Sequence, residues 1–427
     1  MRNFLLQDVP NQWEVSRIGY YFSERKEKVS DLDYNPLSVT YDGVVPQLSH
    51  VAKSEDRNNR KKVCVGDLVI NSRSDRRGAS GISDFDGSVS LINIVLESRI
   101  GYSRFFHYLM RSKAFQEEFY RRGRGIVDDL WTTRFSDLKA IEFALPPTEK
   151  QKEIVEYLDA FCDRMKNLRS SREKQITLLR EKEDIKTFGF DRDKNTHQST
   201  DPRMPWLPFL PNHWETKRAK YILENVNRAP RDEDEVITAF RDGEVTLRKN
   251  RRETGYTFAE KEVGYQHIEP GDLVVHTMDA FAGAVGVSDS AGKSTGEYAV
   301  CVARDADFDL GFYAQVLRYM AQVGYIYILC PSVRERAPRF RYSKLAPVFL
   351  PVPPPMEQRE IAELIAQYRK ARSTLNRSIT ALKEYEQSVI DSVVMGRVEV
   401  SSLPGGKNPQ DYLKGVDAQL TVGEARA

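Results

Sequence analysis

Several short stretches carry residue types that could do chemistry, and each lacks a member that the chemistry needs. In AGKSTGEY, from Ala291, a Gly-Lys-Ser triplet could hold a phosphate, but Val287 stands where a Walker loop requires its first glycine. In GRGIVD, Gly123 and Gly125 have dinucleotide-loop spacing, but Asp128 replaces the third glycine. GASGIS and GAVGVS are glycine-rich and occur at matching places, which suits a tight turn or close backbone approach better than a phosphate cradle. Acidic pairs such as Asp128 with Asp129, and Glu181 near Asp184, are expected by chance among 62 acidic residues, and no metal partner or repeated second acid accompanies them. Cys64, Cys162, Cys301 and Cys330 are widely separated, and no histidine stands at ligand spacing from them, so the sequence predicts reduced thiols and no metal site. No Asn-Pro-Pro-aromatic motif for amino-methyl transfer is present, so no catalytic residue is assigned.

What does cluster is arginine, on turn-like segments. The first half has Arg73, Arg76 and Arg77 in NSRSDRRGAS, then Arg121, Arg122, Arg124 and Arg134 in RRGRGIVDDLWTTR, which also holds Trp131. The second half has Arg248, Lys249, Arg251 and Arg252 in LRKNRRE, then Arg334, Arg336, Arg339 and Arg341 in VRERAPRFRY. A guanidinium fork matches a phosphate or the paired acceptors on a guanine edge. One such cluster is ordinarily a solvated face, but two in each half of one chain count against that reading, although VRERAPR includes an acid. The nearly balanced charge, 64 Lys+Arg against 62 Asp+Glu, requires any nucleic-acid surface to be local.

The elements that position these loops are written twice. PNQWEVSRIGYYFSE from Pro10 matches PNHWETKRAKYILEN from Pro211 at an offset of 201. VGDLVINSRSDRRGASGIS from Val65 matches PGDLVVHTMDAFAGAVGVS from Pro270 at 205, and RFSDLKAIEFALPP from Arg134 matches RYSKLAPVFLPVPP from Arg341 at 207. A slowly growing offset is what small loop insertions between retained elements leave behind. DLVI, SVSLINIVL, DLVVH and YAVCVA read as strands; SRFFHYLMRSKAFQEEFYRR and GFYAQVLRYMAQV read as one amphipathic helix each. Each half is therefore an α+β globule, and the loops that differ most between halves suggest one scaffold reading two targets.

A double proline and then Gln151 or Gln358 opens a long helix in each half. Ile154, Leu158, Phe161, Met165 and Leu168 step by heptad spacing, as do Ile361, Ile365 and Tyr368, continuing past Arg372 to Leu375, Ile379, Leu382 and Val389. Roughly forty residues make a rod of about 60 Å. One seam cannot bury itself, so the two helices are expected to pair with each other, antiparallel, under a pseudo-two-fold repeat. Packing on the helix's own globule or on another protein's helices is the competing arrangement. DRDKNTHQSTDPRM reads as a linker and the stretch from Ser401 as a flexible tail.

The longest apolar runs fall far short of the ~20 residues of a membrane span, and the first residues lack a signal peptide's apolar core, so a soluble cytoplasmic protein is expected.

Two copies each of Pro-Asn-x-Trp-Glu, Gly-Asp-Leu-Val and Pro-Pro before Gln-(Lys/Arg)-Glu-Ile, in one order and each leading into a heptad helix, resemble the DNA specificity subunit of type I restriction-modification systems from about Pro10 to about Val400. VIDSVVMGRVEV is similar to that family's usual end; the Trp-Leu-Gly approach to each half is reduced to PWLPFLP before the second copy, and the first copy starts directly at FLLQDVP, which reads as a short N-terminus. The resemblance implies two tandem mixed α/β target recognition domains, at 1–146 and 205–353, joined by conserved coiled-coil helices at 147–190 and 354–400, with a linker at 191–204 and a tail at 401–427. It implies that each domain reads part of a bipartite target and that the helices set the gap. It further implies two methyltransferase subunits that use S-adenosylmethionine to modify adenine, and motor-nuclease subunits that use ATP and magnesium, with no cofactor and no reaction in this chain itself. The rival expectations are a coiled-coil adaptor that binds proteins, and a nuclease with a concealed acidic site.

Overall fold

A computed structural model describes residues 3–41, 43–47, 57–73, 76–124, 132–188, 198–207, 209–251, 264–330 and 339–403. The chain divides into two compact units, one formed by Met1–Arg172 with Arg377–Ala427 and the other by Glu173–Asn376.

In the first unit, strand β1 (Glu14–Arg17) is followed by β2 (Phe22–Glu24), β3 (Leu68–Asn71), β4 (Ser80–Ile82) and β5 (Asn93–Ser98). The last four make an antiparallel sheet in the order β2-β5-β3-β4. Alternate residues of a strand face opposite ways, and here both faces are covered. Leu68 and Ile70 enter the helix-side core with Ile94, Leu96, Phe105 and Phe106, whereas Val69 enters a second core with Val44, Val63, Val89 and Val95. That is why LVI from Leu68 and IVL from Ile94 are unbroken apolar runs and not alternating ones. The segment expected to be one helix is two, α1 (Ser103–Arg111) and α2 (Lys113–Arg121). Ser112 lies between them in an extended conformation, and its Oγ accepts the Phe115 N–H at 3.2 Å, a cap that starts a new helix. Strand β6 (Glu142–Leu145) pairs with β1 and leads into α3 (Thr148–Phe188).

The second unit repeats this order. Strands β7 (Glu215–Arg218), β8 (Leu223–Val226), β9 (Leu273–His276), β10 (Val285–Val287) and β11 (Tyr298–Ala303) include a sheet ordered β8-β11-β9-β10. Leu273 and Val275 point into one core and Val274 into the other, as in the first unit. The helical segment again breaks in two, α4 (Leu310–Gln322) and α5 (Tyr325–Leu329), here at Gly324, whose φ of 76° ends the first. Strand β12 (Phe349–Val352) pairs with β7 and leads into α6 (Pro355–Val394). The stretch read as a linker joins this unit from Gln198, which pairs with Pro211, and Met204 is fully buried.

Both long helices contribute to both units. In the first, Ile154, Leu158, Phe161 and Met165 of α3 share a core with Val389, Ile390, Val393 and Val394 of α6, with Leu168 and Leu382 at its margin. Phe161 and Tyr385 pack edge to face at 5.7 Å, and Lys150 reaches Glu399. The start of α3 thus meets the end of α6. In the second unit the end of α3 meets the start of α6, where Glu183 pairs with Arg372 and, at 3.6 Å, with Arg369. The pairing is antiparallel. Ile361 and Ile365 are buried in the second globule's core, while Tyr368, Leu375 and Ile379 are half-buried. The first turns of each helix therefore pack on a globule as well as along the seam.

Candidate nucleic-acid interface

The repeated Gly-Asp dipeptide anchors the site. Gly66 and Gly271 adopt φ of 89° and 93°, a conformation that favours glycine, and the following aspartates turn back as acceptors. Asp67 accepts from Arg25 Nε at 2.8 Å, Arg25 Nη2 at 3.1 Å and the Cys64 N–H at 2.8 Å. Asp272 receives the Arg228 fork and the Glu269 N–H at 2.8 Å. Hydrogen bonding to these aspartates raises the pKa of both Arg25 and Arg228. The motif is thus an ion-paired clasp at the base of β3 and β9, and the loops leaving the far ends of those strands start from fixed positions.

Those loops meet a second segment in each unit. The Ser72 carbonyl accepts the Thr133 N–H at 3.2 Å, and the Thr277 carbonyl accepts the Phe340 N–H at 2.8 Å. In the first unit this joins two arginine clusters that are about fifty residues apart in sequence. Arg124 and Thr132 exchange backbone hydrogen bonds at 2.9 and 3.1 Å, and Arg73 forms an antiparallel bridge with the same threonine. Arg76, Arg77, Arg124 and Arg134 are exposed along this junction. Arg77 stacks over Tyr120 at 5.2 Å with Glu117 at 3.6 Å, and Arg124 reaches Asp137 at 3.0 Å. Arg121 and Arg122 bend back onto Glu118, at 2.6 and 2.8 Å, whose side chain is completely enclosed. A buried carboxylate needs such partners, so these two guanidiniums complete the end of α2.

In the second unit, Arg248, Lys249 and Arg251 follow the hairpin strands Ile237–Ala239 and Val245–Leu247. Arg248 Nε donates to Thr238 Oγ1 at 3.2 Å, Lys249 pairs with Glu235 at 2.6 Å, and Arg251 bridges Asp242 and Glu244 while stacking on Phe240 at 4.3 Å. Arg339 reaches Glu297 at 3.2 Å, and exposed Arg341 begins the short helix Tyr342–Leu345. Trp131, Arg252, Arg334 and Arg336, and the acids Asp128 and Asp129, lie outside the described residues, as does the side chain of Asp184. Cluster-seeking in the sequence missed Met278, Phe281, Tyr327 and Ile328 beside the second loop, because they carry no charge.

The glycine-rich stretches are structural. A Cβ on Gly81 would stand 2.7 Å from the Gly43 Cα, and one on Gly286 would collide with the Gly243 carbonyl, so both glycines permit a hairpin to lie against the sheet. AGKS contributes a strand, Gly292–Ser294, paired with Gln266–Ile268. Burial pushes the Cys162 and Cys301 thiols up to about 12, away from nucleophilic duty at neutral pH. Among the described residues no group of three His, Cys, Asp or Glu is placed to hold a metal, and no helix is long and apolar enough to cross a membrane.

A double-sided scaffold with one loop-to-segment junction per unit is thus built twice. Residues 12–178 match the family described as "Type I restriction modification DNA specificity domain". Among curated proteins no sequence relative matches. Two solved structures share the fold. One belongs to work on complex assembly and conformational transition of the type I R-M system, with TM-score 0.56, 17% identity, and coverage of 91% of this chain and 99% of that one. The other is the type I restriction-modification system S subunit from M. genitalium, with TM-score 0.50, 14% identity, and coverage of 92% and 99%. Residues 12–178 thus resemble a type I restriction-modification DNA specificity domain, and the fold of the chain is shared with both solved structures.

Proposed function

We propose that the chain reads a split double-stranded DNA target, one part with each unit, and serves as the non-catalytic member of a larger complex in the cytoplasm. The observation that carries this reading is the duplication itself: the same sheet order, aspartate clasp and loop-to-segment hydrogen bond occur in both units, while the loops differ in chemistry. A retained scaffold with divergent loops suits two readers of unlike sequences.

In this account half-buried Arg73 and the exposed guanidiniums of Arg76, Arg77, Arg124 and Arg134 contact phosphates and guanine edges in one half-site, and Arg339 and Arg341 contribute to the other. The two long helices set the unread gap and dock two methyltransferase subunits. S-adenosylmethionine belongs to those subunits, and ATP with magnesium to motor-nuclease subunits. The solved neighbour concerned with complex assembly supports partnership with other restriction-modification subunits.

Selection from a random duplex library by the assembled complex tests this reading. Enrichment of two short motifs at one fixed spacing is expected, with affinity that falls as salt rises. Replacing Arg73, Arg76 and Arg77 with alanine is expected to weaken binding and flatten that salt dependence. Absence of any enriched duplex from an intact complex would favour a protein-binding adaptor.

A further inference from the structure

The loop after β3 and the loop after β9 occupy the same place in their units but carry opposite chemistry. At the 205-residue offset that aligns the Gly-Asp motifs, Arg73 corresponds to Met278 and Arg76 to Phe281. In the second unit the loop that carries these apolar residues lies beside α5, which exposes two more. Met278 is 36% exposed; Tyr327 and Ile328, on α5, are 43% and 70% exposed. Phe281 is half-buried against the core and packs edge to face on Tyr327 at 6.1 Å, which fixes α5 beside the loop.

Charged residues rim this apolar group. Arg241 holds Asp279 of the same loop at 3.0 Å. The hydrogen bond from the Phe340 N–H to the Thr277 carbonyl sets Arg339 and Arg341 on either side of the contact. Arg241 and Arg339 are held by Asp279 and Glu297, so the rim consists of ion pairs with exposed Arg341 beside them, and the apolar centre suits a partner whose accessible face carries a methyl group. In duplex DNA that group is the thymine C5-methyl in the major groove, which apolar side chains contact and which no other base carries. The arginine-bearing loop of the first unit instead suits guanine acceptors and phosphates.

We propose that the second unit reads thymine through Met278 and Ile328, with Phe281 and Tyr327 as their support, whereas the equivalent loop of the first unit reads guanine or backbone. This rests on the proposed two-reader function and assigns the base class of one half-site.

The test is equilibrium binding of the assembled complex to duplexes bearing its selected target, with each thymine replaced in turn by deoxyuridine, which deletes only the methyl group. The expected result is a loss of about fourfold per contacted methyl, confined to one half-site. In the double variant Met278→Ala, Ile328→Ala, the deoxyuridine penalty disappears while selectivity at the other half-site is kept. The assignment is overturned if neither half-site holds a thymine sensitive to demethylation, or if the same penalty persists in the variant. If the wild-type complex prefers no duplex at all, the DNA-reading account itself fails; a clear target with indifferent thymines sinks only the base assignment.

Discussion

The side-chain amide of Gln358 donates to the carbonyl of Pro353 at 2.8 Å, and its Oε1 accepts the Asp309 N–H at 3.0 Å, so one buried glutamine ties the start of α6 to the start of α4. Gln151 makes the first bond, to Pro146 at 2.8 Å, while its Oε1 has no partner among the described residues. The repeated Pro-Pro…Gln spacing is therefore a helix-entry clasp: the prolines fix the approach, and the glutamine amide turns back to donate to the carbonyl five residues before it. Gln358→Ala strands two backbone groups and is expected to cost about 2–3 kcal/mol, whereas Gln151→Ala strands one and costs about 1–2 kcal/mol. Denaturant midpoints of the two variants check the order; equal losses would contradict it.

The aspartate clasps make a second prediction. Asp272→Ala leaves Arg228 and the Glu269 N–H without their acceptor, at an expected cost of about 3 kcal/mol, and Asp67→Ala acts alike on Arg25 and the Cys64 N–H. Thermal unfolding of each variant is the measurement, and a change below about 0.5 kcal/mol would show that the loops do not depend on this anchor.

The helix seam contains a layer that differs between the units. At the 207-residue offset, Arg372 and Glu183 occupy the places of Met165 and Ile390, both of which are buried and apolar. Glu183 is the carboxylate among Arg369, Arg372 and Arg318, the last held down to about 10 by burial and by the neighbouring Arg369. Glu183→Ala should therefore destabilise by about 3–5 kcal/mol. The double variant Arg372→Met, Glu183→Ile copies the apolar layer of the first unit and is expected to recover much of that loss, since an apolar replacement can match a buried ion pair. Losses that simply add would refute the coupling.

Burial, with help from Arg111 and Arg104, lowers the His107 pKa from 6.5 to about 3. The unfolded chain takes up a proton below 6.5 that the folded chain refuses, so this residue's contribution is neutral above that pH and increasingly destabilising from 6.5 down to about 3. Between pH 8 and pH 5 the expected loss is about 2 kcal/mol. His107→Gln removes the ionisable group, so the stability difference between wild type and variant should shift by that amount across the interval. A difference independent of pH would contradict the assignment.

How much of this was legible in the sequence follows from which forces are local. The strands and the heptad helices announce themselves because apolar spacing records a face that must be covered, and the duplicated motifs made the two units visible. The break at Ser112 was not legible: the residues on both sides are helix formers, and only the cap to Phe115 reveals it. Nothing local marks Glu183 and Glu386 as buried, because their partners, Arg372 and Arg169, arrive from the other helix some two hundred residues away. The arginine clusters were easy to see, but their use was not. Arg121 and Arg122 turn to an enclosed Glu118, and Met278 and Phe281 become conspicuous only when the two loops are superposed by the repeat.

The central claim is that two unlike readers act from one chain on one DNA duplex. Its most direct test is to co-express the chain with the proposed methyltransferase partner and map methylated adenines across a host genome by single-molecule sequencing. The account predicts one split motif, two short specified parts separated by a gap of constant length, with Arg73→Ala, Arg76→Ala, Arg77→Ala changing the specificity of one part alone. A contiguous motif, or no new methylation from a stable complex with an active methyltransferase, would contradict it.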